Sequence, residues 1–307
     1  MTRGAKQRRP TDAGRPAAGR AGRLDVRKTY KLFVGGAFPR SESGRSYRLE
    51  RSGGAVVHVS RASRKDLREA VRAARGAQPG WSGRSAYNRG QVLYRVAEVM
   101  ESRRAEFAVE VRAVGGRGGR AAAREVDRAI DRWVWYAGWA DKYGPLLGGV
   151  NPVSGPYYDF TVPEPMGVVG VVAPEASPLL GLVSRLAPVL VSGNTAVVLA
   201  SHTNPLPAVA LAETLATSDV PAGTVNVLTG LKAELVPVLA AHMDVNAVDA
   251  AGAEPDELEA IELASAGNLK RVRRPAARAD WFADEAQSPY LIGDFTEFKT
   301  VWHPVGT

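Results

Sequence analysis

The stretch VVGVVAPEASPLLGLVSRLAPVLVSGNTAVVLA, residues 168–200, decides the fold. It opens on a valine-rich apolar run, Val168–Ala173, and breaks at Pro174. A helix-length segment follows, Leu179–Val191, and Ser192-Gly193-Asn194 breaks the chain again before a second apolar run, Thr195–Ala200. Strand, helix, strand in so short a span is a βαβ unit, and such a crossover joins parallel strands. The alternation continues outward. TVNVLTG (Thr224–Gly230) and VNAVDA (Val245–Ala250) are further strands, and a fifth is expected from Asn268 in NLKRVRR. Helical stretches Pro205–Thr217, Lys232–His242 and Pro255–Ala266 separate or follow them. Val/Leu runs without polar alternation fit strands covered on both faces. The pattern specifies an α/β protein with a Rossmann-like, doubly wound parallel sheet.

Upstream the periodicity is helical. Asp66–Ala77 and Asn88–Val111 place apolar residues on one face, with Val92, Leu93, Val96, Val99 and Met100 marking it in the second. VGGRGGR (Val114–Arg120) should break helix or form a mobile turn, because glycine raises the entropy cost of ordering. Another helix is expected at Ala121–Lys142, and its Trp133, Trp135, Tyr136 and Trp139 read as core or interface. Lys31–Phe38, KLFVGGAF, reads as two short strand pieces around a Gly-Gly turn.

Charge is concentrated at one end. Of the net charge of +8, nearly all belongs to residues 1–28, which hold nine Lys/Arg against Asp12 and Asp25. With almost nothing apolar to bury, this segment is expected to be a disordered basic tail. A phosphate-gripping arm is the alternative. The chain has no cysteine, which removes disulfides, thiolate metal sites and any cysteine nucleophile. Its four histidines (His58, His202, His242, His303) are too scattered for a metal cage, so no metal is expected. No apolar run approaches the length of a spanning helix, and no apolar region follows the basic N-terminus, so a cytoplasmic protein without a membrane partner is expected.

Particular segments go further. VVGVVAPEASPL (Val168–Leu179), LAPVLVSGNTAVV (Leu186–Val198), LAETLATSDVPAGTVNVLTG (Leu211–Gly230) and NLKRV (Asn268–Val272) resemble the cofactor domain of the aldehyde dehydrogenase superfamily. LFVGGAF, WSGRSAYNRGQVLYRVAEVM and YAGWADKY (Tyr136–Tyr143) resemble its N-terminal part, in family order over Leu32–Val272. The resemblance implies a thiolate nucleophile, a general base and an oxyanion donor. The chain departs from all three. It has no cysteine, the oxyanion asparagine falls on Ala176 of Pro174-Glu175-Ala176, and the segment of the base becomes Arg273-Arg274-Pro275. No catalytic residue is therefore assigned.

The catalytic domain is also expected to be missing. FTEFKTVW (Phe295–Trp302) resembles the family's C-terminal strand, yet it follows Val272 by only about two dozen residues, and a domain needs about 50. The expected organisation is a tail (1–28), a cofactor-type domain (29–275) with a bridging hairpin (146–163), a linker (276–294) and a C-terminal bridging strand (295–307).

The resemblance places cofactor contacts at Pro174, Gly230 and Gly252, here vestigial. The ribose-holding positions become Leu199 and His202, and the phosphate-binding turn becomes Ala250-Ala251-Gly252-Ala253. Glu257 near a helix start, with Glu175 close by, would compete with phosphate for positive potential. No cofactor is expected, or at most weak NAD(P) binding. A serine triad is unsupported, since neither Ser177 nor Ser201 can be given a histidine partner from sequence.

Three functions follow. The first is a noncatalytic subunit, a homo-oligomer or a hetero-oligomer with a full-length aldehyde dehydrogenase through the bridging strands. The second is an NAD(P)-dependent oxidoreductase acting on aldehydes with a non-standard or partner-supplied site. The third is a nucleic-acid-associated protein using its basic tail, which the lack of aromatic interleaving disfavours.

Overall fold

A computed structural model describes residues 28–276 and 279–306. Except for Lys28, the expected basic tail lies outside the described residues. Lys28 itself is tied down, its Nζ 2.8 Å from the Glu213 carboxylate.

The chain begins with a small sheet of β1 (Thr29–Tyr30), β2 (Ser46–Glu50) and β3 (Val56–Ser60), ordered β1-β3-β2. The β2–β3 hairpin has no counterpart in the sequence expectations. Its inward residues, Leu49, Val57 and Val59, are few, and its outward ones are Arg48, Glu50 and His58. Gly53 and Gly54 make its turn with φ of +103° and +82°, a region glycine enters without steric cost.

α1 (Arg64–Ser82) starts on a capping box in which Ser63 accepts from the Asp66 amide and the Asp66 carboxylate accepts from the Ser63 amide. The single helix expected over Asn88–Val111 is two, α2 (Ala86–Ser102) and α3 (Arg104–Val111). The break falls at Arg103, at φ −105° and ψ 13°. Its guanidinium turns onto Glu106 (2.8 Å) and Glu213 (2.7 Å), while Phe107 and Val111 of α3 enter the core. α4 (Gly119–Trp139) buries Trp133 and Tyr136 fully, and α5 (Tyr143–Leu147) follows it.

β4 (Gly149–Val150) and β5 (Tyr157–Pro165) lead into the main sheet. Its elements alternate: β6 (Val168–Val172), α6 (Leu180–Val191), β7 (Thr195–Leu199), α7 (Leu206–Leu215) and β8 (Val225–Leu228). They continue with α8 (Lys232–Ala241), β9 (Ala247–Asp249), α9 (Pro255–Ser265) and β10 (Arg271–Arg273). The strands are parallel in the order β10-β9-β6-β7-β8. The sheet is the expected Rossmann-like, doubly wound one. Alternate residues feed opposite cores. Val169, Val171 and Val198 pack toward α4 and α6, while Val168, Val172 and Val197 pack toward α1 and α8. Burial on both faces is why these strands read as unbroken valine runs.

Past β10 the chain makes one 3-10 turn (Asp284–Gln287), then α10 (Tyr290–Gly293) and β11 (Thr296–Pro304). Residues 279–294 of the segment expected as a linker pack on the α4–α6 layer. Arg132, buried in α4, donates to the carbonyls of Trp281 (3.0 Å) and Ala286 and to Ser184 Oγ (2.8 Å). β11 then runs antiparallel to β5 from Thr296↔Pro165 to Pro304↔Tyr157, giving a third sheet ordered β11-β5-β4.

Asn194, in the turn before β7, ties this third sheet to the main one. Its buried amide donates to the Phe295 carbonyl (2.7 Å) and accepts from the Gly167 amide (2.7 Å). Asn194→Ala would orphan both groups in a dry site, so a loss of about 2–4 kcal/mol is expected. Urea unfolding checks it, and an unchanged midpoint would mean that water replaces both bonds.

Candidate functional site

In a doubly wound sheet the ligand crevice lies beyond the carboxyl ends of the strands, where the winding reverses. Here the chain winds from β6 outward through β7 to β8, then returns to place β9 on the other side of β6. The crevice is therefore bounded by the loop after β6 (residues 173–178) and the loop after β9 (residues 250–254).

The two loops touch. The Gly252 amide donates to the Val172 carbonyl (2.9 Å), and a Cβ on Gly252 would overlap the Ala173 carbonyl and the Pro174 nitrogen. Only glycine fits. Lys232, at the start of α8, reaches this contact from below. Its buried Nζ donates to the carbonyls of Ala173 (2.6 Å) and Gly252 (2.9 Å) and pairs with Glu175 (2.5 Å).

Glu175 is in turn saturated. It accepts from Ser201 Oγ (2.6 Å), Thr203 Oγ1 (2.7 Å) and the amides of His202 and Thr203 (3.2 Å each), with His202 Nδ1 also at 3.2 Å. Burial alone would raise the pKa of this carboxyl. The Lys232 charge and the hydroxyl donors outweigh burial and hold it down at about 2. Burial pushes Tyr47, whose hydroxyl lies 3.5 Å from the His202 carbonyl, well above the ordinary phenol range, and the Glu175 charge adds to it.

The helix start on the other flank is also filled. Glu125, projecting from α4, accepts at Oε1 from Ser177 Oγ (3.0 Å) and the amides of Leu179 and Leu180 (3.2 Å each). A carboxylate thus occupies the positive end of α6, where an anion would otherwise sit. Arg117 balances it and also donates to the Ala176 carbonyl, which pins the loop. At α9, Glu257 accepts from the Glu254 amide (3.0 Å), so it caps its own helix. Deeper in, Arg185 and Asp249 form a buried pair at 2.9 Å beside a cavity of about 130 Å³ walled by Arg273 and Trp281.

Of the positions inferred from sequence, Pro174 and Gly252 meet through their backbones. Gly230, at φ +155°, sits on the flank at the end of β8, against Ala62 and Leu235. His202 stands beside Glu175. Leu199 is buried in the core among the α1 and α8 side chains and does not face the crevice. Lys232 was not anticipated, because it marked only a helix boundary in the sequence. A signal existed: a carboxylate just after a buried strand requires a cation, and Lys232 follows the end of the strand at Gly230.

The arrangement has no activated nucleophile. Ser201 donates its hydroxyl hydrogen bond to Glu175 rather than to an imidazole, and the carboxylate that could orient His202 is paired with Lys232. No cluster of three or more His, Cys, Asp or Glu among the described residues could hold a metal. At the crevice Glu125 takes amides at the start of α6, Glu257 takes the Glu254 amide at the start of α9, and Lys232 is paired with Glu175.

A doubly wound parallel sheet preceded by a helical layer and flanked by a projecting sheet defines the class, a dinucleotide-type α/β domain. Residues 45–273 match the model of the aldehyde dehydrogenase family. The chain belongs to that family. It is 32% identical over 247 residues to aldehyde dehydrogenase family 2 member B4, mitochondrial, of Arabidopsis thaliana, covering 79% of this chain and 45% of the relative. It is likewise 32% identical over 255 residues to human retinal dehydrogenase 2, covering 81% and 48%. Among solved structures, HpcC from Thermus thermophilus superposes with a TM-score of 0.76 at 30% identity, covering 80% of this chain and 47% of that one. The NAD+ complex of aldehyde dehydrogenase from Bacillus cereus gives 0.74 at 26%, covering 80% and 50%. The chain spans about half the length of the relatives it matches. No helix among the described residues is long and apolar enough to cross a membrane.

Lys232→Met would leave the Glu175 charge half-buried with hydroxyl and amide donors only. A loss of about 2–3 kcal/mol at neutral pH is expected, below the figure for a fully buried pair because Glu175 keeps some solvent contact. Because the folded pKa of Glu175 is depressed, the pair's stabilisation is complete above the ordinary carboxylate range and is lost as pH falls toward about 2. Denaturant midpoints for both proteins across that acid range should therefore converge. Parallel curves would show that Lys232 does not hold the carboxylate down.

Proposed function

We propose that the chain is a noncatalytic aldehyde dehydrogenase-type subunit that associates with itself or with a complete aldehyde dehydrogenase in the cytoplasm. The supporting observation is the β11–β5–β4 sheet. Trp302 stacks edge-on against Tyr157 (5.7 Å between centroids) on one face, and Phe298 projects on the same side. Tyr158, Phe160 and Val162 line a groove of about 590 Å³ on the other face. Tyr157, Tyr158, Phe298 and Trp302 are all exposed, and β11 is an edge strand nine residues long. Such an edge and such apolar faces are ordinarily covered by another chain. The absence of cysteine, the alanine at position 176 and the filled crevice support inactivity. NAD(P) binding, through the vestigial contacts Pro174, Gly230 and Gly252, would be no tighter than about millimolar, near −4 kcal/mol.

The purified chain is expected to form no NADH from any aldehyde. Titration calorimetry is expected to give no NAD+ constant in the micromolar range. Micromolar binding would favour the second reading, a cofactor-holding half completed by a partner, which the NAD+ complex of the Bacillus cereus relative keeps in view. In light scattering the chain is expected to be dimeric or larger, and Phe298→Glu with Trp302→Glu to shift it toward monomer with the circular dichroism spectrum retained. A wild-type monomer that also fails to bind a co-expressed full-length relative sinks the association.

A further inference from the structure

An open cleft of about 690 Å³ lies between the first turn of α1, the loop before β2 and the outer side of α8. Its size is that of a small-molecule site. Five cations surround it: Arg45, Arg61, Arg64, Lys65 and Arg68. The carboxylates within reach are already engaged. Glu234 takes a two-pronged bond from Arg61. Glu42 accepts from Ser63 Oγ (3.0 Å) and lies 3.8 Å from Lys65. Asp66 is spent on the Ser41 hydroxyl and the amides of Glu42 and Ser63. The guanidinium groups of Arg45, Arg64 and Arg68 form no hydrogen bond or close ion pair with any described residue, although the Arg45 charge adds to the Arg61 bond in lowering the Glu234 pKa and the Arg68 charge adds to burial in lowering that of His242.

This is not a general property of the surface, because the chain beyond residue 28 is close to neutral overall. Three unpaired guanidinium groups around one concavity repel one another, and an anion relieves that repulsion. Their forked donors match phosphate oxygens in pairs. One wall is apolar, formed by Ala62, Leu235 and Val238. We propose that the cleft binds a small polyphosphate ester, its phosphates on Arg45, Arg64 and Arg68 and its apolar body against Leu235 and Val238. The site is on the opposite flank of α8 from α9 and does not depend on the noncatalytic-subunit reading.

Calorimetric titration of the full chain with tripolyphosphate and with ATP, at physiological ionic strength, tests it. Saturable one-to-one binding is expected, tighter for ATP because of the apolar wall. Arg64→Ala combined with Arg68→Ala should weaken both by about tenfold or more, the loss of two charge-assisted contacts. Both residues are exposed on a helix and alanine favours helix, so the fold should persist. Arg48→Ala, on exposed β2 outside the cleft, should change nothing. Binding that survives the double substitution would assign the anion to the basic residues 1–28 and overturn the proposal, as would a non-saturable response. Equal affinity for tripolyphosphate and ATP would overturn the ester part.

Discussion

A lysine ammonium has three protons to give, and at Lys232 each has an acceptor within hydrogen-bonding reach: the Ala173 carbonyl, the Gly252 carbonyl and Glu175. The first two acceptors belong to the strand ends on either side of the winding reversal, so one buried charge cross-links the two halves of the sheet just beyond the β6–β9 ladder. Desolvating that charge is costly, and the cost is offset only because every donor is used. The arrangement then propagates. Glu175 must stay ionised, which draws in Ser201, His202 and Thr203, and Gly252 must remain glycine, because its backbone lies against Ala173 and Pro174. Lys232 and Glu175 thereby tie together the loops at the mouth of the sheet.

The sheet was legible in the sequence for a physical reason. Strands such as Val168–Val172 and Thr195–Leu199 are enclosed on both faces, so nearly every position is apolar and the signal does not depend on register. The β2–β3 hairpin was not legible, since it buries one face thinly and spends its other positions on Arg48, Glu50 and His58. The division of α2 from α3 was hidden because the apolar spacing continues through it. What breaks the helix is a tertiary demand, Arg103 reaching Glu213 on another helix. The candidate site divides in the same way. Backbone positions such as Pro174 and Gly252 carry their own punctuation, whereas pairing Lys232 with Glu175 needs the fold, because the two are distant in the chain.

The projecting sheet follows a different logic from the core. β11 is fixed at its root by Asn194 and along its length by β5, yet Phe298 and Trp302 stay about half exposed, with Tyr157 as the one ring in contact with Trp302 among the described residues. Lys299 on Glu164 of β5 (3.2 Å) and Glu297 on Arg271 of β10 (3.2 Å) are its ion pairs to other strands among the described residues, and Pro304 closes its end. That is light protection for so long an edge. A sheet of this kind costs conformational entropy and gains little from its own exposed face, which is the energetic ground for expecting a second chain against it.

Segment 279–295 helps explain how such a chain stays folded. Arg132 on α4 is buried, and burial lowers its pKa by penalising the charge. The two terminal nitrogens of its guanidinium donate to Ser184 and to the Trp281 and Ala286 carbonyls, while its buried Nε has no hydrogen-bond partner among the described residues, and Trp281 covers Arg185 with its ring 5.8 Å away. Without this strap, two buried arginines on the α4–α6 layer would lose their cover, each with a desolvation cost of several kcal/mol. Among its described residues the strap contributes backbone carbonyls, aromatic surface and carboxylates such as Asp294, which pairs with Arg273. Carbonyl oxygens suffice to keep an arginine-lined layer dry, while aldehyde oxidation demands a thiolate held at a set geometry. Stability and chemistry therefore place separate demands on this fold.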